Sequence, residues 1–201
     1  LDYFQKIRQS GETLLMLLND LLDLAKLESG KITFEFRPAD LGLLIDSMAD
    51  ECNSLASEQN LTVRGEHPEA NEKIVLDADK IKQVLRNLLN NAIKFSPEGG
   101  TIDISIFKKA DSVVVSVRDQ GAGVPENELG SVFDKFVQSS KNKTSAGGTG
   151  LGLPICREII AAHKGRIWAE NNPDIGTNFL FEIPLSLEAN EREDVLVGSA
   201  R

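Results

Sequence analysis

The sequence predicts an α+β protein: a two-layer α/β sandwich with a mixed, mostly antiparallel sheet and its helices on one face, preceded by a long N-terminal helix. Two observations favour this class. Short segments with alternating apolar residues indicate strands, whereas three later segments repeat apolar residues every three or four positions and indicate helices. Strands interspersed with a few helices in this way are typical of helices packed on a sheet.

The first 29 residues are predicted to form one helix, because apolar residues recur at spacings of three and four from Phe4 to Ala25. Additional leucines make this apolar face wider than a lone surface helix can bury. We interpret the helix as half of a helical hairpin whose first arm is missing, two such hairpins forming a four-helix bundle. Packing against the rest of the same domain is the alternative. Since the sequence begins at Leu1 without an initiator Met, we expect it to be a piece of a longer protein.

The later elements are predicted from alternation, helical spacing and turn residues. Strands are expected at 31–37, 61–65, 73–76, 101–107, 112–118, 165–171 and 177–185. Helices are expected at 41–58, 80–94 and 151–163, the first two capped by Asp40 and Asp79. The long loop 119–150 is expected to be functional or mobile. The predicted division is an incomplete hairpin at 1–29, one domain at 30–186 and a flexible tail or linker at 187–201.

Composition excludes several classes of function. A net charge of -9 over 201 residues argues against sequence-independent nucleic-acid binding, which needs a basic surface. The chain contains no apolar run of 18 residues, so we expect a soluble cytoplasmic piece without direct membrane contact. Cys52 and Cys156 show no CxxC spacing and are expected to be reduced. Two cysteines and two distant histidines are too few for a zinc site.

The helix at 80–94 carries a polar face. Asn87, Asn91 and Lys94 are spaced four and three residues apart and therefore share that face. A carboxamide oxygen is a suitable ligand for Mg²⁺, and a lysine one turn further on can neutralise a phosphate. An ordinary solvated face is the alternative.

The segment DQGAGVP, residues 119–125, places an acidic residue at the end of an apolar strand, just before two glycines. A buried carboxylate at Asp119 can accept a hydrogen bond from an exocyclic amino group such as that of adenine. The glycines let a base approach the backbone closely. An ordinary strand-to-turn segment is the alternative.

The segment GGTGLGL, residues 147–153, has four glycines around the start of a predicted helix. Unhindered backbone N–H groups and the positive end of a helix together make a site for phosphates. The segment matches neither the Walker nor the Rossmann pattern. A flexible hinge at the start of a helix is the alternative.

Taken in order, these motifs resemble the ATP-binding catalytic domain of bacterial sensor histidine kinases. VFDKFV at 132–137 and GTNFLF at 176–181 belong to the same resemblance, which runs from about residue 31 to 185. LLNDLLDLAKLESGKI at 17–32 resembles the second helix of the family's dimerisation and phosphoacceptor hairpin. The resemblance implies the Bergerat ATP-binding fold, ATP (or ADP) and Mg²⁺ as cofactors, and a homodimer formed through the hairpin. It also implies a response-regulator receiver domain as partner, and a parent protein that can be anchored in the inner membrane.

The resemblance also implies roles for individual residues. Asn91 is expected to ligate Mg²⁺, with Asn87 beside the nucleotide and Lys94 facing the phosphates; Asn91 and Lys94 are the expected catalytic residues. Asp119 is expected to bind the adenine amino group. The other residues expected at the nucleotide are Gly121 and Gly123 beside the adenine, Phe133, Lys135 and Phe136 in a mobile lid, Gly148, Thr149, Gly150, Leu151 and Gly152 around the phosphates, and Thr177 near the adenine. Phe95 is expected mainly to pack.

The implied reaction is transfer of the ATP γ-phosphate to a histidine, and then to an aspartate of the response regulator. His67 lies in a predicted loop and His163 follows a predicted helix, so neither matches the family's acceptor, which is expected upstream of Leu1. Two alternatives remain. One is a nucleotide-binding regulatory module derived from a kinase. The other is a related ATPase, but Arg86 and Asn87 occupy the region where such enzymes carry a catalytic Glu.

Overall fold

The computed structural model describes residues 2–67, 73–142 and 148–186. Its helices are α1 (Asp2–Glu28), α2 (Leu41–Ser57), α3 (Ala78–Phe95) and α4 (Gly152–Ala162). Its strands are β1 (Arg37–Asp40), β2 (Thr62–Glu66), β3 (Lys73–Leu76), β4 (Thr101–Lys108), β5 (Ser112–Arg118), β6 (Arg166–Asn171) and β7 (Thr177–Pro184). Three short 3-10 helices occur at Glu126–Glu128, Ser131–Phe133 and Ser140–Asn142. The predicted tail at 187–201 and Gly147 lie outside the described residues.

Five strands form the main sheet in the order β2-β4-β5-β7-β6. Only the β2–β4 pair is parallel among the described strands of this sheet, which confirms the predicted mixed, mostly antiparallel sheet. Strands β1 and β3 form a separate antiparallel pair. Helix α3 contacts both α2 and α4, and all three pack on the sheet. This arrangement is the predicted two-layer sandwich.

The core lies between these helices and the sheet. The apolar face predicted for α3 is fully buried, and strand β5 carries a continuous buried run from Val113 to Val117. Burial of each large aliphatic side chain of this kind contributes about 1.5–3 kcal/mol to folding. Since the apolar face of α3 faces the core, its polar face, with Asn87 and Asn91, is directed away from it.

The strand predicted at 31–37 is wrong, since residues 31–36 are irregular and β1 begins only at Arg37. The alternation in that segment has another cause. The rings of Phe34 and Phe36 stack with centroids 5.7 Å apart, and each meets the ring of His163 edge-on, at 5.8 and 5.0 Å. The two aromatic side chains therefore share a side because they pack on one buried histidine, and no strand pairing is involved.

The predicted cap of α3 at Asp79 is also wrong, because Asp77 is the N-cap. Its Oδ1 accepts from the Lys80 amide at 3.1 Å, and its Oδ2 accepts from the Glu35 amide at 2.9 Å. Asp77 thus serves the helix and fixes the irregular segment before β1. That second contact joins residues 42 positions apart.

Helix α1 packs on the domain through its C-terminal half. Leu24 is 3% exposed, and Asp23 accepts a hydrogen bond from the side chain of Gln83 on α3 at 3.1 Å. The helix still leaves a broad apolar face exposed from its N-terminal end to its middle, including Phe4, Ile7, Leu14, Leu15 and Leu18. The buried part of the helix agrees with packing on the same domain, and the exposed apolar face agrees with a helical hairpin. The hairpin itself stays a prediction. Among the described helices, none is long and apolar enough to cross a membrane.

Candidate functional site

A cavity of about 310 Å³ lies between α3, the start of β7, the loop after β5 and the glycine segment before α4. It brings together eleven of the fifteen predicted site residues, although they come from four separate stretches of the chain. These are Asn87, Asn91, Lys94, Asp119, Gly121, Gly123, Gly148, Thr149, Gly150, Gly152 and Thr177. The three motifs identified in the sequence thus line one cavity.

The polar face of α3 forms one wall. Asn87 donates a hydrogen bond from Nδ2 to the carbonyl of Gly152 at 3.3 Å, which joins α3 to the start of α4. Burial lowers the pKa of Lys94, because the ammonium gives up part of its hydration there. A Cβ on Gly148 would lie 3.1 Å from Lys94 Nζ, so the ammonium lies directly beside this glycine. The wall therefore presents carboxamides and a partly desolvated cation to any ligand.

Asp119 lies at another part of the cavity and is 4% exposed. Its Oδ1 accepts hydrogen bonds from the amides of Gly121 at 2.8 Å and Thr177 at 3.1 Å. Its Oδ2 accepts none from the described residues. Burial raises the pKa of Asp119, and the two backbone bonds oppose that rise. One carboxylate oxygen is therefore held in place while the other remains available as an acceptor.

Close backbone packing explains the glycines around this carboxylate. A Cβ on Gly121 would lie 2.7 Å from the carbonyl oxygen of Phe95. Asn171 holds the loop by accepting from the Val124 amide at 2.9 Å and donating to the Val124 carbonyl at 2.7 Å. Sequence analysis missed Asn171, whose role depends on a pairing across 47 residues.

The glycine segment leads directly into α4. Gly150 has a φ of 68°, a left-handed conformation that favours glycine, and its carbonyl accepts from the Phe136 amide at 3.0 Å. The Leu151 amide donates to Thr149 Oγ1 at 3.1 Å. No side chain among the described residues caps the N-terminus of α4. Its first amides and the positive end of its dipole thus suit an anion.

Four predicted site residues lie outside the cavity lining. Phe133 and Leu151 are buried, and Phe133 meets Phe179 edge-on with ring centroids 6.3 Å apart. Phe179 does line the cavity, so Phe133 supports the site indirectly. Phe136 is 64% exposed, and Lys135 forms an ion pair with Glu28 of α1.

The cavity also contains residues that sequence analysis missed. Met16 and Asp20 of α1 reach it, and Asp20 Oδ2 accepts a hydrogen bond from Thr149 Oγ1 at 3.0 Å. Burial raises the pKa of Asp20. Asn90 and Ser139 also line the cavity. No periodicity in the sequence indicates that α1 contacts the glycine segment, because the contact spans 129 residues.

Comparison with known proteins shows the family to which the chain belongs. Residues 76–187 match the family described as histidine kinase-, DNA gyrase B-, and HSP90-like ATPase. The chain belongs to this family. The match begins at the last residue of β3 and covers the motifs on α3, after β5 and before α4, but not the segment at 17–32. Apart from the contribution of α1, the cavity lies within the matched region.

Relatives of this ATPase-family domain are sensor histidine kinases. The chain is 35% identical to sensor histidine kinase WalK of Bacillus subtilis over 186 residues, which is 91% of this chain but 30% of WalK. It therefore spans less than a third of that relative's length. Full-length ShkA in complex with AMPPNP is 30% identical with a TM-score of 0.79, covering 91% of this chain and 38% of ShkA.

The catalytic domain of histidine kinase ThkA is 36% identical with a TM-score of 0.68, covering 76% of this chain and 97% of that domain. A further structure contains ThkA with the response regulator protein TrrA. There the identity is 31% and the TM-score is 0.74, covering 90% of this chain and 50% of ThkA. The expected fold and family are thus confirmed.

Proposed function

We propose that this chain is the ATP-binding catalytic part of a two-component sensor histidine kinase. It binds ATP and transfers the γ-phosphate to a histidine outside this sequence, from which an aspartate of a response regulator receives it. We place its action in the cytoplasm, with homodimerisation through α1 and a second hairpin helix. The complexes of ShkA with AMPPNP and of ThkA with TrrA support the nucleotide and the regulator as partners.

The observation that carries the proposal is the opposed chemistry of the two parts of the cavity. Asp119 offers a fixed carboxylate oxygen suited to the amino group of adenine. Lys94, the glycine segment and the uncapped N-terminus of α4 offer positive charge and amides suited to phosphates. Phosphoryl transfer requires positioning and neutralisation of charge more than covalent help from the enzyme. A cavity with this polarity supplies both.

The residues present also fit Mg²⁺. The carboxamides of Asn87 and Asn91 lie on one wall of the cavity and are hard oxygen ligands, and Asn91 is the proposed protein ligand. When bound, the ion neutralises charge on the transferring phosphate. Lys94 adds a second cation. Burial lowers the pKa of Lys94, and the negative charge of an adjacent phosphate would stabilise its ammonium form.

The two histidines support an acceptor outside this sequence. His163 is 1% exposed, its Nε2 accepts from the Asp77 amide at 3.0 Å, and its Nδ1 lies 2.8 Å from the Ile159 carbonyl. His67 pairs with Asp46 at 2.9 Å and does not line the cavity. Neither imidazole is placed to receive a phosphoryl group from the cavity.

Labelling with γ-³²P-ATP and Mg²⁺ tests the proposal. The chain is incubated alone and with a separately made hairpin of the parent protein that carries the candidate histidine. We expect acid-labile label on the hairpin and none on the chain alone. A hairpin with that histidine replaced by Ala should remain unlabelled.

Two lysine variants on α3 test whether phosphoryl transfer depends on the cavity. Lys94→Ala should abolish transfer, whereas Lys82→Ala, on the same helix but outside the cavity lining, should retain it. Absence of label on the hairpin, although the chain binds AMPPNP, would contradict kinase activity in trans and favour a nucleotide-binding regulatory module.

A further inference from the structure

Ser139 is a buried polar residue of the cavity, and its hydroxyl has no hydrogen-bond partner among the described residues. It lines the cavity between Gln138 and the last short helix, is 7% exposed, and its Oγ is buried without a partner. Buried hydroxyl groups are nearly always hydrogen-bonded, because burial removes the water that would otherwise bond to them. Contact with solvent therefore does not compensate for the missing hydrogen bond of this hydroxyl.

Four other buried polar side chains of the domain do have partners. Ser116 Oγ lies 2.6 Å from Asn178 Oδ1, and Asp77, Asp119 and His163 each bond to backbone groups. Ser139 shares its unpartnered Oγ with Ser96, but of these two serines Ser139 is the one that lines the cavity. Its location in the cavity distinguishes it from an ordinary packing defect.

The backbone around Ser139 is held by contacts that do not use its hydroxyl. Gln138 Nε2 donates to the carbonyl of Gly148 at 2.5 Å, and the amide of Ser140 donates to Glu128 Oε2 at 2.9 Å. These two anchors fix the position of Ser139 from both sides. The hydroxyl therefore remains at the cavity although it gains no bond there.

We propose that the Ser139 hydroxyl donates a hydrogen bond to an oxygen of the ribose or the phosphates of the bound nucleotide. This assignment rests on the proposed function. The neighbouring Gln138 contacts Gly148 of the glycine segment, so Ser139 belongs to the phosphate and sugar side of the cavity. The adenine amino group is proposed to donate its hydrogen bond to Asp119 instead. A hydroxyl hydrogen rotates freely and can adapt to an oxygen acceptor of either kind.

Two measurements on Ser139→Ala separate a contact with the nucleotide from a merely structural role. Ser139→Ala removes a group that is unsatisfied in the nucleotide-free chain, so the Tm of that form should stay equal or rise. The same change should weaken binding of AMPPNP with Mg²⁺ roughly three- to tenfold, the range of one neutral hydrogen bond. Calorimetric titration and thermal unfolding measure the two quantities separately.

Ser96 provides a matched control. Its Oγ is likewise buried without a partner, but Ser96 does not line the cavity. Ser96→Ala should therefore leave AMPPNP affinity unchanged. Unchanged affinity in Ser139→Ala would overturn the proposal, as would a loss of affinity accompanied by a fall in the Tm of the nucleotide-free form.

Shorter ligands distinguish the two oxygen sources. If the ribose is the partner, Ser139→Ala weakens adenosine and AMPPNP by the same factor. If a phosphate is the partner, adenosine binding is unchanged and only ADP or AMPPNP is weakened. An equal loss with free adenine would contradict an oxygen acceptor. Failure of the unsubstituted chain to bind AMPPNP would instead contradict the proposed function itself.

Discussion

Asp20 Oδ2 on α1 accepts a hydrogen bond from Thr149 Oγ1, with 3.0 Å between the two oxygens. The contact brings a carboxylate from the N-terminal helix to the glycine segment proposed to hold phosphates. Both residues line the cavity. Burial raises the pKa of Asp20, the bond from Thr149 opposes this rise, and the charge of Asp23 adds to it. The Asp20 carboxylate on α1 therefore disfavours binding of a further anion, such as a phosphate, at the glycine segment.

Replacing Asp20 by Asn should strengthen AMPPNP binding about three- to tenfold at pH 7.5, because it removes a negative charge near the phosphates. Calorimetric titration measures the change. Asp23→Asn is the matched control, since Asp23 bonds to Gln83 and does not line the cavity. Equal or weaker binding by Asp20→Asn would show that this carboxylate does not oppose the nucleotide.

Replacing Asp119 by Asn should weaken ATP binding by about 2 kcal/mol or more. The Asn carbonyl can keep the bonds from Gly121 and Thr177, so its NH₂ group then takes the place of Oδ2 and meets the adenine amino group as a second donor. The Tm of the nucleotide-free form should change little. Inosine triphosphate carries an oxygen in place of that amino group, so the substitution should weaken its binding much less than it weakens ATP binding. An equal loss of affinity for both nucleotides would contradict the assignment.

Gly176→Ala should destabilise the fold by more than about 2 kcal/mol. Gly176 has a φ of 95°, and a Cβ there would lie 2.0 Å from the carbonyl oxygen of Asp119, so the strand end must move. Gly11→Ala is the control, because nothing lies within 4 Å of a Cβ there and alanine favours α1. Urea unfolding at pH 7 compares the two, and equal stability of Gly176→Ala and the unsubstituted chain would contradict the close packing at Asp119.

Glu182 should give the chain a pH-dependent contribution to stability. Lys109 at 2.8 Å, Ser112 at 2.7 Å and Arg166 lower the pKa of Glu182 from 4.5 to about 2. Because the folded-state pKa is below the unfolded one, the contribution is present above pH 4.5 and is lost as the pH falls towards 2.

The variant Glu182→Gln should therefore lower the Tm at pH 7, and the difference from the unsubstituted chain should narrow as the pH falls below 4.5. Glu35→Gln is a control, since the Glu35–Arg37 pair has side chains 68% and 77% exposed and such pairs contribute little. A difference for Glu182→Gln that stays constant from pH 7 to pH 3 would contradict the stabilising role of its ionised form.

Local patterns brought out residues that the structure places around one cavity, because each motif depends on spacing within one element. The shared face of Asn87 and Asn91 follows from helical geometry, and the cavity contains both. Contacts between distant segments were not predictable in this way. The cap at Asp77 depends on its tertiary bond to Glu35, and the alternation of Phe34 and Phe36 reflects packing on His163.

The approach of α1 to the glycine segment could not be predicted for the same reason. The spacing of its leucines indicates a helix with a wide apolar face, but not which surface covers that face. In the structure, Leu24 packs on the domain while Leu14 and Leu18 remain exposed. Asp20 lies on a half-buried part of the helix, and no sequence pattern indicates that it reaches the cavity.

ATP is proposed to bind in the cavity between α3 and the glycine segment. Titration of ¹⁵N-labelled chain with AMPPNP and Mg²⁺, followed by backbone amide shifts, tests it most directly. We expect the largest shifts at the amides of Gly121, Gly150 and Gly152, and only small shifts at Arg64 on the edge strand β2. Shifts confined to surfaces away from the cavity, or none at saturating nucleotide, would contradict it.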